Sequence, residues 1–314
     1  MKARPIVALA GGVGAARFLD GLARVLPPER LFIIGNTGDD AEIHGLHISP
    51  DLDTVTYTLA GLADPQRGWG IRGDRFQCLE ALGRLGGETW FQLGDRDLAT
   101  HLYRTERLKQ GATLTEVTAE ITARLGVQST LVPMSDARVR TRICTATGEL
   151  EFQTYFVKRR ARDRVAAVRF DGAEEAIAAS GVLEAIKKAE AIIVCPSNPF
   201  ISVGPILAVF GIREALAERR ESVAAISPIV GGRALKGPAA AMMKSMKMRP
   251  AAAEVAKLYK DFVNLFVLDE VDRKQAAAVQ ELGMQPVVTG TIMHGRRERI
   301  ALARTVVREL GIKL

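Results

Sequence analysis

Cysteine is scarce in this chain of 314 residues, and the three cysteines present lie far apart. Cys78, Cys144 and Cys195 form no C-x-x-C pair, so their number and spacing argue against a disulfide framework or a cysteine zinc site and favour a reducing compartment. There are only four histidines. The H-x-x-H formed by His44 and His47 lacks the further ligands that zinc needs, and we expect a structural or hydrogen-bonding role for it.

Aromatic residues make up only 5% of the chain, and its 43 Lys and Arg residues are scattered. A nucleic-acid binder usually carries a basic stripe with interleaved aromatics, so we expect no nucleic-acid partner. The net charge of +7 suits a small anionic ligand instead. No apolar run reaches the roughly 18 residues of a membrane span, and no signal peptide precedes the first predicted strand. We therefore expect a cytoplasmic protein with no membrane partner.

The most informative stretch lies at the start of the chain. The apolar run 6–10 predicts a buried strand, and a glycine turn and a helix starting near Ala15 follow it. A strand, a glycine turn and a helix N-terminus form an anion site, because backbone N–H groups and the helix dipole favour negative charge there. The turn matches the dinucleotide fingerprint G-x-G-x-x-G only up to its last position, where Arg17 stands. Arg17 could instead reach a phosphate, although an ordinary tight βα turn remains the alternative.

Acidic residues cluster after the second predicted strand, 31–34. Four aspartates lie there within fifteen residues: Asp39, Asp40, Asp51 and Asp53. Loops of this composition beside a phosphate turn suit a hard divalent cation held by oxygen ligands, here Asp39, Asp40 or Asp53. Helix capping and turn formation are the alternative role for such residues. Either Asp53 or Thr54 is expected to cap a helix that extends to about Gly61.

The second half of the chain alternates apolar strands with helices. The strand 191–195 is apolar throughout, which is typical of a parallel sheet covered on both faces. Polar loops follow it at 196–199 and follow the next strand at 227–232, and the carboxyl ends of parallel strands are where such sheets bind ligands. We predict one α/β domain over residues 1–314, with a doubly wound, mostly parallel, Rossmann-like sheet.

One segment breaks this alternation. Residues 98–125 have a helical pattern, and residues 137–157 read as a hairpin with a turn at Thr147-Gly148. We therefore predict an inserted helical and hairpin subdomain over about 95–160 that covers the active-site crevice. The strand 165–170 is expected to resume the central alternation.

Seven motifs, taken together and in order, resemble those of the 2-phospho-L-lactate transferase family, which builds the deazaflavin coenzyme F-420. They span nearly the whole chain and occur at residues 10–19, 36–40, 50–54, 68–70, 93–101, 196–199 and 227–230.

The resemblance implies a reaction. The acceptor would be Fo, a deazaflavin with a ribityl chain, and the donor a guanosine diphosphate esterified to a three-carbon acid. That acid would be phospholactate or its phosphoenolpyruvate or phosphoglycerate analogue, and one small group in a pocket separates such candidates only weakly. The ribityl hydroxyl would attack phosphorus and release GMP, with Mg²⁺ as cofactor. The family also suggests a homodimer, with the apolar helix from Ile201 as one candidate surface.

The resemblance also implies roles for particular residues. Asp39, Asp40 and Asp53 would hold the metal, with Asp53 or Asp39 also acting on the nucleophile. Trp69, Arg72, Asp95 and Arg96 would face the deazaflavin or the acid group, although the loop at Asp95 could merely cap a helix. The residues expected around the phosphates and the guanosine are Gly11, Gly12, Gly14, Arg17, Thr37, Ser197, Asn198, Ser227 and Gly231.

Two other functions compete with this one. Related proteins bind nucleotide sugars and act as regulators without this transfer, but their glycine turn usually reads Gly-Gly-Gly-Thr-Gly, which differs from residues 11–17. A pyridine-nucleotide dehydrogenase is disfavoured because Arg17 breaks the fingerprint.

Overall fold

A seven-stranded parallel sheet forms the centre of the computed structural model, which describes residues 4–313. Every neighbouring pair of strands in it runs parallel. From one edge to the other the strands are β14 (Gln285–Thr289), β13 (Leu265–Asp269), β10 (Val223–Ile226), β9 (Ala191–Val194), β1 (Ile6–Ala10), β2 (Leu31–Gly35) and β5 (Thr130–Pro133).

The strand order has one reversal point. From β1 the chain moves outward through β2 to β5, and it then returns to β9 on the other side of β1 and moves outward to β14. Loops that leave β1 and β9 therefore diverge, and this divergence opens a crevice at the carboxyl edge of the sheet. The doubly wound α/β fold predicted from the sequence is confirmed.

Helices cover both faces of this sheet, so its strands are buried on both sides. Val7 and Leu9 of β1 point into one hydrophobic cluster, and Ile6 and Ala8 point into the other. The α-helices are α1 (Gly12–Leu22), α2 (Pro50–Leu59), α3 (Gln77–Arg84), α4 (Asp95–Lys109), α5 (Leu114–Arg124), α6 (Val182–Lys188), α7 (Gly204–Ala208), α8 (Ile212–Ala217), α9 (Ala239–Ser245), α10 (Ala252–Leu258), α11 (Ala276–Glu281) and α12 (Arg296–Glu309).

Three small antiparallel sheets lie outside the central one. They pair β3 (Ala41–Ile43) with β4 (Leu46–Ile48), β11 (Ile229–Val230) with β12 (Arg233–Ala234), and β6 (Arg140–Thr145) with both β7 (Gly148–Glu151) and β8 (Val165–Asp171). Short 3₁₀ helices occupy Pro28–Arg30, Arg220–Ser222 and Glu270–Gln275, and π-helical turns occupy Thr154–Lys158 and Pro199–Val203.

Three sequence predictions about elements were wrong. The first helix was expected from about Ala15 or Ala16, but it begins at Gly12, so the following glycine lies inside its first turn. The strand β8 does not resume the central sheet; it pairs antiparallel with β6, and its residue Val165 packs with Ile143 in a separate small hydrophobic cluster. The helix α2 begins at Pro50 after the cap position Ser49, so Asp53 and Thr54 lie inside its first turn. Proline at the first helical position is favoured because its missing N–H would be unpaired there.

The segment predicted as an insertion combines elements of two kinds. Within residues 95–160, β5 is an edge strand of the central sheet, and α4 and α5 lie on the connection that leads to it. The hairpin β6–β7 lies outside that sheet, and the side-chain amide of Gln153 after it donates to the main-chain oxygen of Asp39 at 2.8 Å. The hairpin is thereby tied to the acidic loop after β2.

No helix within residues 4–313 is long and apolar enough to cross a membrane.

Candidate active site

A cavity of about 1000 Å³ lies at the carboxyl edge of the central sheet, over the crevice between β1 and β9. Its walls come from the glycine turn after β1, the acidic loop after β2, the first turns of α2, and the loops after β9 and β10. These segments are far apart in the chain, and the parallel sheet brings their ends together.

The glycine turn is shaped by close approaches on two sides. A Cβ atom at Gly14 would lie 2.2 Å from the main-chain oxygen of Pro196, so only glycine lets the loops after β1 and β9 pack together there. A Cβ atom at Gly11 would lie 2.7 Å from a carboxylate oxygen of Asp51 and 2.6 Å from the Cβ of Ser202. The turn is therefore fitted to both the β9 loop and the start of α2.

Asp39 and Asp51 form a pair of buried carboxylates beside this turn, each less than a tenth exposed. The side-chain amide of Asn36 joins them, donating to Asp51 at 2.9 Å and to Asp39 at 3.3 Å. Within residues 4–313, neither carboxylate forms an ion pair with Lys or Arg, for which the limit is 4.0 Å between nitrogen and oxygen. The pair is therefore not bonded directly to a protein cation, and Arg140 favours the charge of Asp39 only from a longer distance.

Burial and mutual repulsion disfavour the charged forms of both groups. Burial raises the pKa of Asp51 to about 7, against the hydrogen bonds that it accepts from Asn36 and the Gly12 amide. Burial, followed by repulsion from Asp51 and Asp40, raises the pKa of Asp39 well above its usual range. A bound cation would reverse both shifts, because an opposite charge favours the ionised carboxylate.

Asp53 lies two residues after Asp51 and has different surroundings. The buried guanidinium of Arg104 pairs with both of its carboxylate oxygens. His101 lies between Asp53 and Asp97, with its Nε2 atom 3.2 Å from Asp97, and the hydroxyl of Tyr57 donates to Asp97 at 2.6 Å. This second group of carboxylates is therefore compensated by protein charges and hydrogen bonds.

The pKa directions of the second group follow from these contacts. Burial by itself raises the pKa of Asp97, but hydrogen bonds from His101 and Tyr57 outweigh it and leave the pKa below its usual value. Burial likewise opposes the charge of Arg104, but Asp53 raises its pKa above the usual value.

Asp40 lies beneath the cavity and does not line it. One of its oxygens accepts from the hydroxyl of Ser49 and contacts Nε2 of His47, both at 2.9 Å. The expected hydrogen-bonding role of His47 is thus observed. The other oxygen of Asp40 is buried and has no hydrogen-bond partner among the described residues.

Aromatic side chains form part of the wall of the cavity. Both tryptophans of the chain, Trp69 and Trp90, line it, together with Phe152 and Phe156. The rings of Phe152 and Phe156 stack with centroids 5.4 Å apart and an angle of 9° between their planes. Such a wall suits a planar ligand, because flat rings stack favourably.

The structure brings together ten of the residues predicted to bind or act on substrate. They are Gly11, Gly12, Gly14, Arg17, Asp39, Asp53, Trp69, Ser197, Asn198 and Ser227. Among them, the hydroxyl of Ser197 is buried and has no hydrogen-bond partner within residues 4–313, so it is available to a ligand.

The other predicted residues lie outside the cavity lining: Thr37, Asp40, Arg72, Asp95, Arg96 and Gly231. The carboxylate of Asp95 accepts from the amides of Gln77 and Cys78 at the start of α3, at 3.2 and 3.0 Å. The amide of Gly231 donates to Asp272 at 2.9 Å. Asp95 therefore has the capping role that the sequence had left open.

Sequence reasoning overlooked several residues of this site. Asp51 was counted among the four aspartates but was not assigned a role, because its position in the first turn of α2 resembles capping. Trp90 and Phe91 also line the cavity. Because aromatic residues are so few in this chain, these two could have been singled out from the sequence as candidate ligand contacts. Lys236 follows a two-stranded hairpin, and no sequence pattern marked it.

The fold and the cavity define a class of protein. A glycine turn at the reversal point of a doubly wound sheet, facing two uncompensated carboxylates, is the arrangement of an α/β enzyme that handles phosphate-containing ligands. The family model described as 2-phospho-L-lactate transferase CofD matches residues 6–305. The chain belongs to this family, and it is a transferase of phosphate-containing groups, consistent with F-420 biosynthesis.

Its relatives carry two names. A 2-phospho-L-lactate transferase of Methanosarcina mazei is 39% identical over 302 residues, covering 96% of this chain and 99% of that protein. A phosphoenolpyruvate transferase of Streptomyces griseus is 43% identical over 305 residues, covering 95% of this chain and 96% of that protein. The two names differ in the three-carbon acid, so identity at this level leaves the acid open.

Among solved structures, a member of the UPF0052 family from Bacillus halodurans has a similar fold. The TM-score is 0.65 and the identity 16%, with 98% of this chain and 99% of that chain covered. At this identity the likeness concerns the fold alone.

Proposed function

We propose that the protein transfers a phosphorylated three-carbon acid from a guanosine diphosphate-linked donor to the ribityl hydroxyl of Fo. The hydroxyl oxygen bonds to the phosphorus that bears the acid, and the bond from that phosphorus to the bridging oxygen breaks. The bonding electrons leave with GMP, the hydroxyl proton is released, and the product is a phosphodiester. Transfers of this kind depend on placement and charge neutralisation more than on covalent catalysis.

The observation that supports this proposal most directly is the uncompensated pair Asp39 and Asp51 beside the glycine turn. Carboxylate oxygens are the donors that Mg²⁺ prefers, and it is usually held by one or two carboxylates together with substrate phosphates. Within residues 4–313, no group of three or more His, Cys, Asp or Glu has a metal-binding arrangement. A metal site made of two carboxylates and of phosphate oxygens from the guanosine diphosphate-linked substrate is consistent with that finding. When bound, Mg²⁺ would neutralise charge on the diphosphate.

The other two predicted ligands fit a metal less well. Asp53 is paired with Arg104, and Asp40 lies below the cavity, bonded to Ser49. In the proposal, Asp39 and Asp51 therefore hold the metal, and Asp53 is a positioning residue that fixes the first turn of α2. The predicted metal role of Asp40 and Asp53 stays a prediction.

The aromatic wall supports a planar acceptor. The deazaflavin of Fo is flat, and the wall formed by Trp69, Trp90, Phe152 and Phe156 offers it stacking surfaces in the same cavity as the carboxylates. In the proposal, Ser197 and Asn198, which follow β9 and line the same cavity, bind the guanosine.

A turnover assay tests the proposal. Purified protein is mixed with Fo and Mg²⁺, and the phospholactate, phosphoenolpyruvate and phosphoglycerate donors are supplied in turn. Chromatography follows the deazaflavin and the release of GMP. We expect one magnesium-dependent deazaflavin product in equal amount to GMP, and the productive donor names the acid. Absence of product with every donor, together with no binding of Fo, would overturn the proposal.

A further inference from the structure

Two cations of the cavity lining lie close together: Arg17, for which the sequence predicts only a general phosphate contact, and Lys236, which has no assigned role. Arg17 lies in α1, one turn after Val13, and Lys236 lies in the loop after β12; both line the cavity. Within residues 4–313 neither forms an ion pair with a carboxylate, for which the limit is 4.0 Å, and the Nζ atom of Lys236 donates to the main-chain oxygen of Arg67 at 3.1 Å. The cations are therefore not neutralised by the protein itself.

Nearby positive charge disfavours the charged form of each group. Burial, followed by the charge of Arg17, lowers the pKa of Lys236. Burial, followed by Arg299, lowers the pKa of Arg17. Two like charges directed to one place are costly unless a ligand brings a negative charge between them.

A neighbouring glycine leaves room for the ammonium group of Lys236. Gly68 has φ +81°, and a Cβ atom there would lie 2.8 Å from Nζ of Lys236 and 2.9 Å from a methyl of Val13. The ammonium group is thus held close to the first turn of α1, on the side from which Arg17 projects. Arg17 and Val13 are four residues apart, so they share one helix face.

We propose that Lys236 and Arg17 bind the carboxylate of the three-carbon acid in the donor. This inference rests on the proposed function. The diphosphate diester carries two negative charges, and in the proposed function it faces the amides of the glycine turn and one divalent cation at Asp39 and Asp51. The carboxylate is the remaining negative charge of the donor, and it requires a separate cationic partner. A planar carboxylate suits the guanidinium of Arg17, and Lys236 adds a point charge at the rim.

Binding of paired ligands tests the proposal. Isothermal titration compares wild type and Lys236→Met with the phosphoenolpyruvate-linked guanosine diphosphate and with the P²-ethyl ester of GDP, which keeps the diphosphate ester but has no carboxylate. We expect Lys236→Met to weaken binding of the carboxylate-bearing ligand about tenfold and binding of the ethyl ester less than twofold. Lys236→Arg should restore most of the lost affinity.

A matched glycine pair tests the positioning independently. Gly68 and Gly70 both have positive φ, but a Cβ atom at Gly70 meets nothing within 4 Å. Gly68→Ala crowds both Nζ of Lys236 and a methyl of Val13, and we expect it to weaken binding of the carboxylate ligand more than binding of the ethyl ester. Gly70→Ala carries the same kind of backbone strain and should preserve the ratio of the two affinities.

Each outcome decides the proposal. Equal loss of both ligands in Lys236→Met would place Lys236 on the diphosphate, and no loss of either would remove it from the site; both results overturn the inference. If wild type binds neither guanosine ligand, the proposed function itself fails, and that failure is distinguishable because it precedes any effect of the variants.

Discussion

Two pairs of carboxylates meet at the first turn of α2, and they differ in what balances their charge. Asp39 and Asp51 accept hydrogen bonds from the amide of Asn36 and have no direct ion pair, whereas Asp53 is held by Arg104 and Asp97 by His101 and Tyr57. Burial raises the pKa of Asp39 and Asp51, whereas the contacts of Asp97 lower its pKa in spite of burial. The difference supports the proposal that the first pair binds a cation, while the second pair stabilises the surrounding framework.

The largest expected effect comes from removing one charge of the uncompensated pair. Asp51→Asn keeps the shape and the contact with Asn36, but it deletes a proposed ligand of Mg²⁺. We expect kcat/KM to fall about a hundredfold or more, since a metal ion supplies several kcal/mol of charge stabilisation. Thermal unfolding of the same variant without Mg²⁺ should show an equal or higher Tm, which separates lost chemistry from lost folding. Near-wild-type turnover would remove Asp51 from the metal site.

Removing a charge of the compensated pair, Asp53 and Asp97, should instead lower the stability of the fold. Asp53→Asn leaves the buried guanidinium of Arg104 without its partner, and breaking such a pair costs about 3–5 kcal/mol of unfolding free energy. Chemical denaturation measures the loss. The double variant Asp53→Asn with Arg104→Met should be less destabilised than the sum of the two single variants. Strict additivity would contradict the pairing.

The pH dependence of stability sharpens the contrast. Folding raises the pKa of Asp51 to about 7, so the folded state binds its proton more tightly than the unfolded state. The stabilisation of the folded state by this proton is complete below about pH 4 and is lost as the pH rises towards 7. Without Mg²⁺, wild type should lose about 2 kcal/mol relative to Asp51→Asn between pH 5 and pH 7, as followed by denaturation.

Added Mg²⁺ provides the control for that series. At pH 7 and above it should stabilise wild type and leave Asp51→Asn nearly unchanged, because ligand binding to the folded state raises its stability. Asp97 contributes in the opposite sense, since its pKa is lowered and its stabilisation is lost as the pH falls. A wild type that gains stability over Asp51→Asn from pH 5 to pH 7 would show that the pKa of Asp51 is not raised.

The smallest effect is expected at Asp95, a third kind of carboxylate that only caps a helix. Asp95→Ala removes the acceptor of the Gln77 and Cys78 amides, which should cost about 1 kcal/mol of unfolding free energy. We expect kcat/KM to stay within about twofold of wild type. A tenfold rise in the KM for donor or Fo would restore the substrate-binding role that the sequence suggested.

The sequence alone determined the class of fold and the position of the phosphate turn. Apolar runs at β1, β9 and β10 and the glycines after β1 are local patterns, and local patterns specify strands, turns and helix starts. The same patterns placed most predicted binding residues on the cavity, because parallel strands deliver their carboxyl ends to one edge.

Only the tertiary structure decided which carboxylates are compensated. Asp51 and Asp53 look alike in the sequence, since both lie near the start of the same helix. In the structure, Arg104 of α4 pairs with Asp53, and the side chain of Asn36, which follows β2, donates to Asp51. The partner of β8 and the approach of Lys236 to Gly68 were decided in the same way. Charge balance depends on contacts between residues distant in the chain, and no local pattern encodes those contacts.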